Sequence, residues 1–255
     1  MKKKPYYGYP LSHVLSRFLF LFILILVFFT IVISNFLTLL IIPIIIFVLI
    51  CYIYFFIIKY KRHFLKSRQN LLKKIIKIAD LKGDELVLDL GTGSGFLAIG
   101  FAKFLKKGKA YGFDIFSFKN ENLKTRIINI IKINFFGNTL KNAKENAIIE
   151  DVENKCDFIL TDITKSLNFP DKNINIIVSS QFFYCVSSKK RLQIFNEINR
   201  VLKEDGKIIF FESKSFMGWN INEIKRFFEN LDYTISLIPD DNFKKCIILV
   251  GHKNK

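Results

Sequence analysis

Residues 86–95 read Leu-Val-Leu-Asp-Leu-Gly-Thr-Gly-Ser-Gly, an apolar run that stops at an aspartate, breaks into three alternating glycines and leads into the stretch 96–103. Few local structures fit such a pattern: a buried strand, a tight turn, then the start of a helix. Gly91, Gly93 and Gly95 lack a Cβ, so the chain can turn there with positive φ and a ligand can sit directly against the backbone. Asp89, at the strand end, is placed either to hold a ligand amine or to order the loop. The stretch predicts a nucleotide-shaped site at the carboxyl end of a strand.

A second feature sets the surroundings of that site. The 255 residues are 51% hydrophobic and include 29 Phe, which is high for a soluble domain. The excess is concentrated: no charged residue occurs from Phe18 through Ile58. As a helix that run would be about 60 Å long, twice a hydrocarbon core of roughly 30 Å. Ser34 and Asn35 form its only polar pair, which predicts a turn between two antiparallel spans, 14–33 and 36–58, the second kinked by Pro43. A secretory signal is excluded by the length of the run and by the lack of a small-residue cleavage pattern. A buried soluble hairpin would need a polar face, and neither span has one.

Cations flank the run on both sides: Lys2, Lys3, Lys4 and Arg17 before it, Lys59, Lys61, Arg62, Lys66 and Arg68 after it, and none at the turn. Both termini, and the domain that follows, are therefore expected on the cytoplasmic side of a membrane. Residues 1–80 hold twelve Lys or Arg against one acid, Asp80, within a chain of formal charge +17. An anionic leaflet accounts for this clustering better than nucleic acid does. The excess beyond Asp80 follows a Lys-, Asn- and Ile-rich bias and carries no functional weight. Cys51, Cys156, Cys185 and Cys246, and His13, His63 and His252, show no metal or redox spacing, so reduced thiols and no metal site are expected.

From Lys59 to Asp80 apolar residues recur at helical spacing, predicting one or two basic connecting helices, and Leu81-Lys82-Gly83-Asp84 breaks them. Strand and helix signals then alternate. Strands are expected at 85–90, 110–115, 156–161, 174–180 and 207–213, with helices at 96–105, 140–148 and 189–202. A helix at 222–231 precedes strands at 233–238 and 246–251, and the Asp240-Asp241-Asn242 turn makes those two a hairpin. The reading is α/β: a doubly wound, seven-stranded, mostly parallel sheet with a C-terminal antiparallel hairpin, preceded by a two-helix transmembrane hairpin. Three regions follow: 1–58, 59–80 and 81–255.

Two nucleotide folds compete for the glycine loop. Gly93 to Ala98 satisfies G-x-G-x-x-A, and Asp114 lies at a distance suited to a ribose-binding acid, as in NAD-dependent oxidoreductases. Three features oppose NAD. Asp89 sits two residues before Gly91, a second acid, Asp162, ends the third strand, and the closing hairpin is foreign to the dinucleotide fold.

Taken in order, D-L-G-T-G-S-G at 89–95, Asp114, Thr161-Asp162-Ile163 and E-I-N-R-V-L-K-E-D-G-K-I-I-F-F-E from Glu197 resemble class I S-adenosylmethionine-dependent methyltransferases. The resemblance covers roughly 71–253. The nearest group is the broad type 11 set, whose F-P-D-x-S-F-D-V-V-V-S pattern is similar to residues 169–180. It implies that Asp89, Gly91, Gly93 and Gly95 contact the methionine part of S-adenosylmethionine and that Asp114 accepts from both ribose hydroxyls. It further implies that Asp162 and the Ile163 backbone read the adenine amine while Ile115 packs on the adenine face. Ser179 and Gln181 would end the fourth strand beside the departing methyl.

Two departures from the family pattern bear on function. Residues 116–136 form a basic and apolar insertion, read either as an interfacial helix or substrate lid or as an extra core helix, with Asn138 or Thr139 capping the next helix. Gln181-Phe182-Phe183-Tyr184-Cys185 stands where many relatives carry histidines, which favours an apolar pocket. A general base is optional in this chemistry; Tyr184 and Glu212 are the candidates, and neither is assigned. The chain is thus expected to be a membrane-anchored methyltransferase acting on a hydrophobic or membrane-associated acceptor such as a lipid, isoprenoid or quinone precursor. A membrane-tethered scaffold that binds the cofactor without turnover, or an NAD(P)-dependent oxidoreductase, is the alternative.

Overall fold

The computed structural model describes residues 20–28, 37–116, 139–216 and 219–254. Most of the first expected span, its turn at Ser34-Asn35 and nearly all of the 116–136 insertion lie outside them. The chain divides into two compact units, with the break after Gln69.

In the first unit, residues 20–28 are helical, and α1 (Leu37–Ala79) begins. Phe22, Ile25 and Leu26 line a small apolar cavity together with Ile42, Ile45, Ile46 and Leu49 of α1, so the two segments lie side by side. In the apolar part of α1, Phe47, Tyr54 and Phe55 are each about two-thirds exposed. Among the described residues one helix is long and apolar enough to cross a membrane, at 42–79, with none of its most apolar window buried. One helix of the expected hairpin is therefore seen among the described residues, while most of the other span lies outside them. The expected end at Ile58 is corrected. Between Pro43 and Gly83 the sequence has no Gly or Pro, so nothing stops the helix, and it absorbs the connecting segment. It ends where Asp80 adopts φ 54 and its N–H returns to the Ile76 carbonyl (3.2 Å), a left-handed cap.

The second unit is built on a seven-stranded sheet. Its strands are β1 (Leu86–Leu90), β2 (Lys109–Asp114), β3 (Cys156–Leu160), β4 (Ile174–Ser180), β5 (Leu202–Ser213), β8 (Tyr233–Pro239) and β9 (Cys246–Lys253). A separate two-stranded ribbon, β6 (Ser215–Phe216) and β7 (Trp219–Asn220), follows β5. The order across the sheet is β3-β2-β1-β4-β5-β9-β8. The first five are parallel, and β9 runs antiparallel to both β5 and β8. The order reverses direction at β1 and β4, and open α/β sheets bind ligands at the carboxyl ends of strands beside such a reversal.

Helices α2 (Phe96–Ala102), α3 (Leu140–Ile149), α4 (Ser188–Val201) and α5 (Asn222–Glu229) cover the sheet. Thr139 caps α3, its hydroxyl accepting from Asn142 N–H at 3.1 Å. Two cores result. One gathers Leu71, Ile75 and Ala79 of α1 with α2 and with Ala143 and Ala147 of α3. The other is aromatic, with Phe183, Phe195, Phe210, Phe228 and Trp219 between the sheet, α4 and α5. The Phe228 ring lies 5.1–6.3 Å from those of Phe195, Phe210, Phe227 and Tyr233. Removing that fully buried ring leaves a cavity its rigid neighbours cannot close. Phe228→Ala is expected to destabilise the domain by about 3–5 kcal/mol, measured by chemical denaturation; a loss below about 1 kcal/mol would contradict this packing.

Candidate active site

The parallel register brings Leu90, Asp114, Leu160 and Ser180 to one edge of the sheet. Gly91, Gly93 and Gly95 all take positive φ, at 71°, 55° and 85°, a region L side chains avoid. Protein neighbours also forbid side chains at two of them. A Cβ on Gly91 would lie 2.5 Å from the Phe182 ring, and one on Gly95 would lie 2.8 Å from Phe158.

Asp89 orders this loop. It is 2% exposed, and its Oδ2 accepts the Thr92 hydroxyl (2.7 Å) and the Ala98 N–H (3.1 Å). Gly95, the residue before α2, has no capping side chain of its own, so the aspartate one strand back satisfies an orphan N–H of that helix and sets a negative charge at its positive end. Of the two roles open to Asp89 in the sequence, loop ordering is the one visible in these contacts.

The loop is joined to β2 through three N–H groups. Gly91 and Thr92 donate to the Phe113 carbonyl (2.9 and 3.1 Å), and Gly93 donates to Asp114 Oδ2 (2.8 Å). Asp114 Oδ1 accepts the Phe116 N–H (2.9 Å). The glycine loop and the second-strand acid, 21 residues apart, are therefore in direct contact. On the other side Asn146 of α3, buried, donates to the Ser94 carbonyl (2.9 Å). Nothing in the sequence singled out Asn146, since an isolated Asn in a helix carries no motif.

Asp162 follows β3, and its Oδ1 accepts both the N–H (3.0 Å) and the hydroxyl (2.7 Å) of Thr164. Chiefly that hydroxyl bond holds the carboxyl below the usual carboxylate range. Ile115 is 36% exposed and Leu160 57% exposed, leaving apolar surface beside the two acids. Ile163 and Ser179 are both buried. The Ile163 side chain is buried in the aromatic core, which leaves only its backbone for a ligand. Ser179 is fully buried and donates its hydroxyl to the Leu90 carbonyl (3.0 Å). Its side chain braces β1 against β4 at the root of the glycine loop.

After β4, Gln181 takes φ 56, and a short 3-10 turn, Phe183–Cys185, follows. Glu212, near the end of β5, accepts the N–H groups of Phe182 (2.8 Å) and Phe183 (3.2 Å) on Oε1. It is fully buried and its Oε2 has no partner. Burial pushes its carboxyl up to about 8 against the pull of those two N–H bonds. Tyr184, half-buried beside it, is likewise raised, first by desolvation. Among the described residues no three His, Cys, Asp or Glu side chains converge as metal ligands would.

With this geometry in view, similarity to known proteins can be placed on it. Residues 117–210 match the family model described as a methyltransferase domain. That match begins just past Asp114, so the glycine loop rests on the fold comparison. A SAM-dependent methyltransferase from Aquifex aeolicus superimposes with a TM-score of 0.51 at 19% identity, covering 71% of this chain and 88% of its own. Magnesium protoporphyrin IX methyltransferase from Synechocystis PCC 6803, solved with SAM bound, gives 0.56 at 13% identity, covering 76% and 83%. The second unit has the class I methyltransferase fold, and residues 117–210 within it match a methyltransferase domain. A curated relative, a probable methyltransferase from Aspergillus luteorubrus, is 25% identical over 127 residues, which is 49% of this chain and 39% of that protein. The chain thus spans about two-fifths of that relative's length. The site's chemistry suits a nucleoside-containing cofactor: Asp114 and Asp162 stand at strand ends, and the glycine loop permits close backbone approach.

The loop makes a direct test possible. Gly95→Ala must place a Cβ at φ 85 against the Phe158 ring, and is expected to cost about 2 kcal/mol or more in thermal stability. A melting temperature equal to the parent's would show that the loop is not held as described.

Proposed function

We propose that the whole chain is a membrane-anchored methyltransferase that moves a methyl group from S-adenosylmethionine to a hydrophobic or membrane-associated acceptor such as a lipid, isoprenoid or quinone precursor. The observation that carries the cofactor reading is the contact of Gly93 N–H with Asp114 at the carboxyl edge of the sheet. Each Asp114 oxygen accepts one backbone N–H, and a carboxylate has about four acceptor positions. Two therefore remain for a ribose diol, already oriented by the loop. Asp162, fixed by Thr164, would meet the adenine amine, and Ile115 and Leu160 would flank the ring. Bound there, the sulfonium supplies an already activated methyl. The protein's task is then to hold donor and acceptor in line and keep water out, for which Phe182 and Tyr184 are suited. No general base is required unless the accepting atom must first lose a proton.

The membrane reading rests on α1. In its apolar stretch Ile44, Phe47, Val48, Ile50 and Phe55 are exposed rather than turned into a core, Tyr52, Tyr54 and Tyr60 sit near the end of that stretch, and cations follow, as at a membrane–water interface. Lys59, Arg62 and Lys66 are exposed, and at 100° per residue they share one stripe. Anionic headgroups fit such a stripe at its membrane end. On this reading, both termini and the catalytic domain face the cytoplasm, as cations flank the apolar run on both sides.

Asp114→Ala is expected to weaken S-adenosylmethionine binding by about 1–3 kcal/mol, read by titration calorimetry. Unchanged affinity in a folded variant would remove Asp114 from the site, and binding without transfer to any cell fraction would favour the scaffold reading. Incubating membranes with methyl-labelled cofactor should place the label in the lipid-extractable fraction. Label confined to soluble acceptors would sink the acceptor class. Removing residues 1–58 should leave cofactor binding intact and lower activity on a bilayer substrate; equal activity there would leave the apolar segment a localising role only.

A further inference from the structure

Glu212 is the buried polar group that the described fold leaves half satisfied. A fully enclosed carboxyl with one oxygen bonded twice and the other not at all lowers stability relative to an apolar residue. Such costs gather at functional sites, and this one lies at the carboxyl ends of β4 and β5. Its two bonds reach the N–H groups of Phe182 and Phe183, directly after the left-handed Gln181. The Phe182 ring in turn occupies the space above Gly91 where a side chain would stand. One carboxyl thus determines where an aromatic ring meets the glycine loop.

We propose that Glu212 is a positioning residue of the cofactor loop: it clamps the turn after β4 so that the Phe182 ring holds Gly91 in place, and it does so while its carboxyl is protonated. The proposal rests on the S-adenosylmethionine reading of that loop. Its pH dependence follows from the surroundings. The titratable groups that feel the charge of this carboxyl are Tyr184 from the turn and Cys246 from β9. Both ionise to anions, so neither can neutralise a carboxylate. Once Glu212 loses its proton, Oε2 carries charge with no donor, and the turn must open to admit water. Because the folded carboxyl titrates above its ordinary 4.5, the closed turn is fully favoured below that pH. It is then progressively disfavoured as pH rises, with opening setting in near pH 8.

The chain carries its own reporter. Trp219, the single tryptophan, stacks on Phe183 with ring centroids 6.5 Å apart and lies under the Arg191 guanidinium, 4.8 Å from its ring. In the ligand-free full chain held in detergent, tryptophan fluorescence is expected to show a transition near pH 8 that Glu212→Gln abolishes. Glutamine can accept the same two N–H bonds and cannot ionise. Calorimetry with S-adenosylmethionine at pH 6.5 and 8.5 should show the parent losing affinity at the higher pH beyond any loss in Glu212→Gln. The cofactor's own amine titrates in this range in both proteins, so the variant's profile subtracts it. Glu212→Ala, lacking the clamp, should bind weakly at both pH values. A fluorescence transition that survives in Glu212→Gln, or identical binding profiles for parent and Gln variant, would overturn the proposal. A Gln-sensitive transition with no cofactor binding at either pH would overturn the cofactor reading, and with it this role, while the clamp itself stood.

Discussion

A buried carboxylate must find donors, and Asp89 finds them in the loop it precedes. Its Oδ2 takes the Thr92 hydroxyl and the Ala98 N–H, which bends the chain back over the end of β1 and starts α2 at a fixed place. Because three residues of that loop sit at positive φ, its N–H groups turn toward β2 and are taken up by Phe113 and Asp114. The site depends on this chain of bonds. Without a satisfied Asp89 the loop would not present Gly93 to Asp114, and the acid at the second strand end would face the loop at no defined distance.

Support for the loop comes from three further directions. Ser179 ties β4 to the last carbonyl of β1, Asn146 reaches from α3 to Ser94, and Phe182 lies on Gly91 under the control of Glu212. These residues come from parts of the chain 50 to 120 positions away. Their convergence follows from the strand order, which puts β4 beside β1 and β5 beside β4. An open sheet of this order concentrates loops at one edge, and the bonds among them make a cradle of fixed shape, which catalysis by positioning requires.

Much of this was legible beforehand where the signal is local. The strand at 174–180 matches observation residue for residue, and of the two residues whose type suited the cap of α3, Asn138 and Thr139, it is Thr139 that caps it. Alternating strand and helix signals and the Asp240–Asn242 turn implied the mixed sheet. The end of α1 was misplaced because the hydrophobicity of the chain changes at Lys59 while its helix propensity does not; the polarity of an element and its backbone continuity are separate properties. Ser179 was placed at the ligand since it ends a strand, yet strand ends have two faces, and only packing decides which one a hydroxyl takes.

The sequence by itself determined the class of sheet, the positive-φ loop and the acids at the strand ends, because each depends on neighbours within a few residues: periodicity, missing Cβ atoms, a carboxylate closing an apolar run. It also determined that an apolar, charge-free segment adjoins the domain. Tertiary structure decided which acid orders the loop and which one meets it, that Ser179 faces inward, and that Glu212 is sealed beneath the turn after β4. Those outcomes depend on burial and on partners brought from distant strands, and neither desolvation nor a long-range hydrogen bond leaves a mark in local residue order.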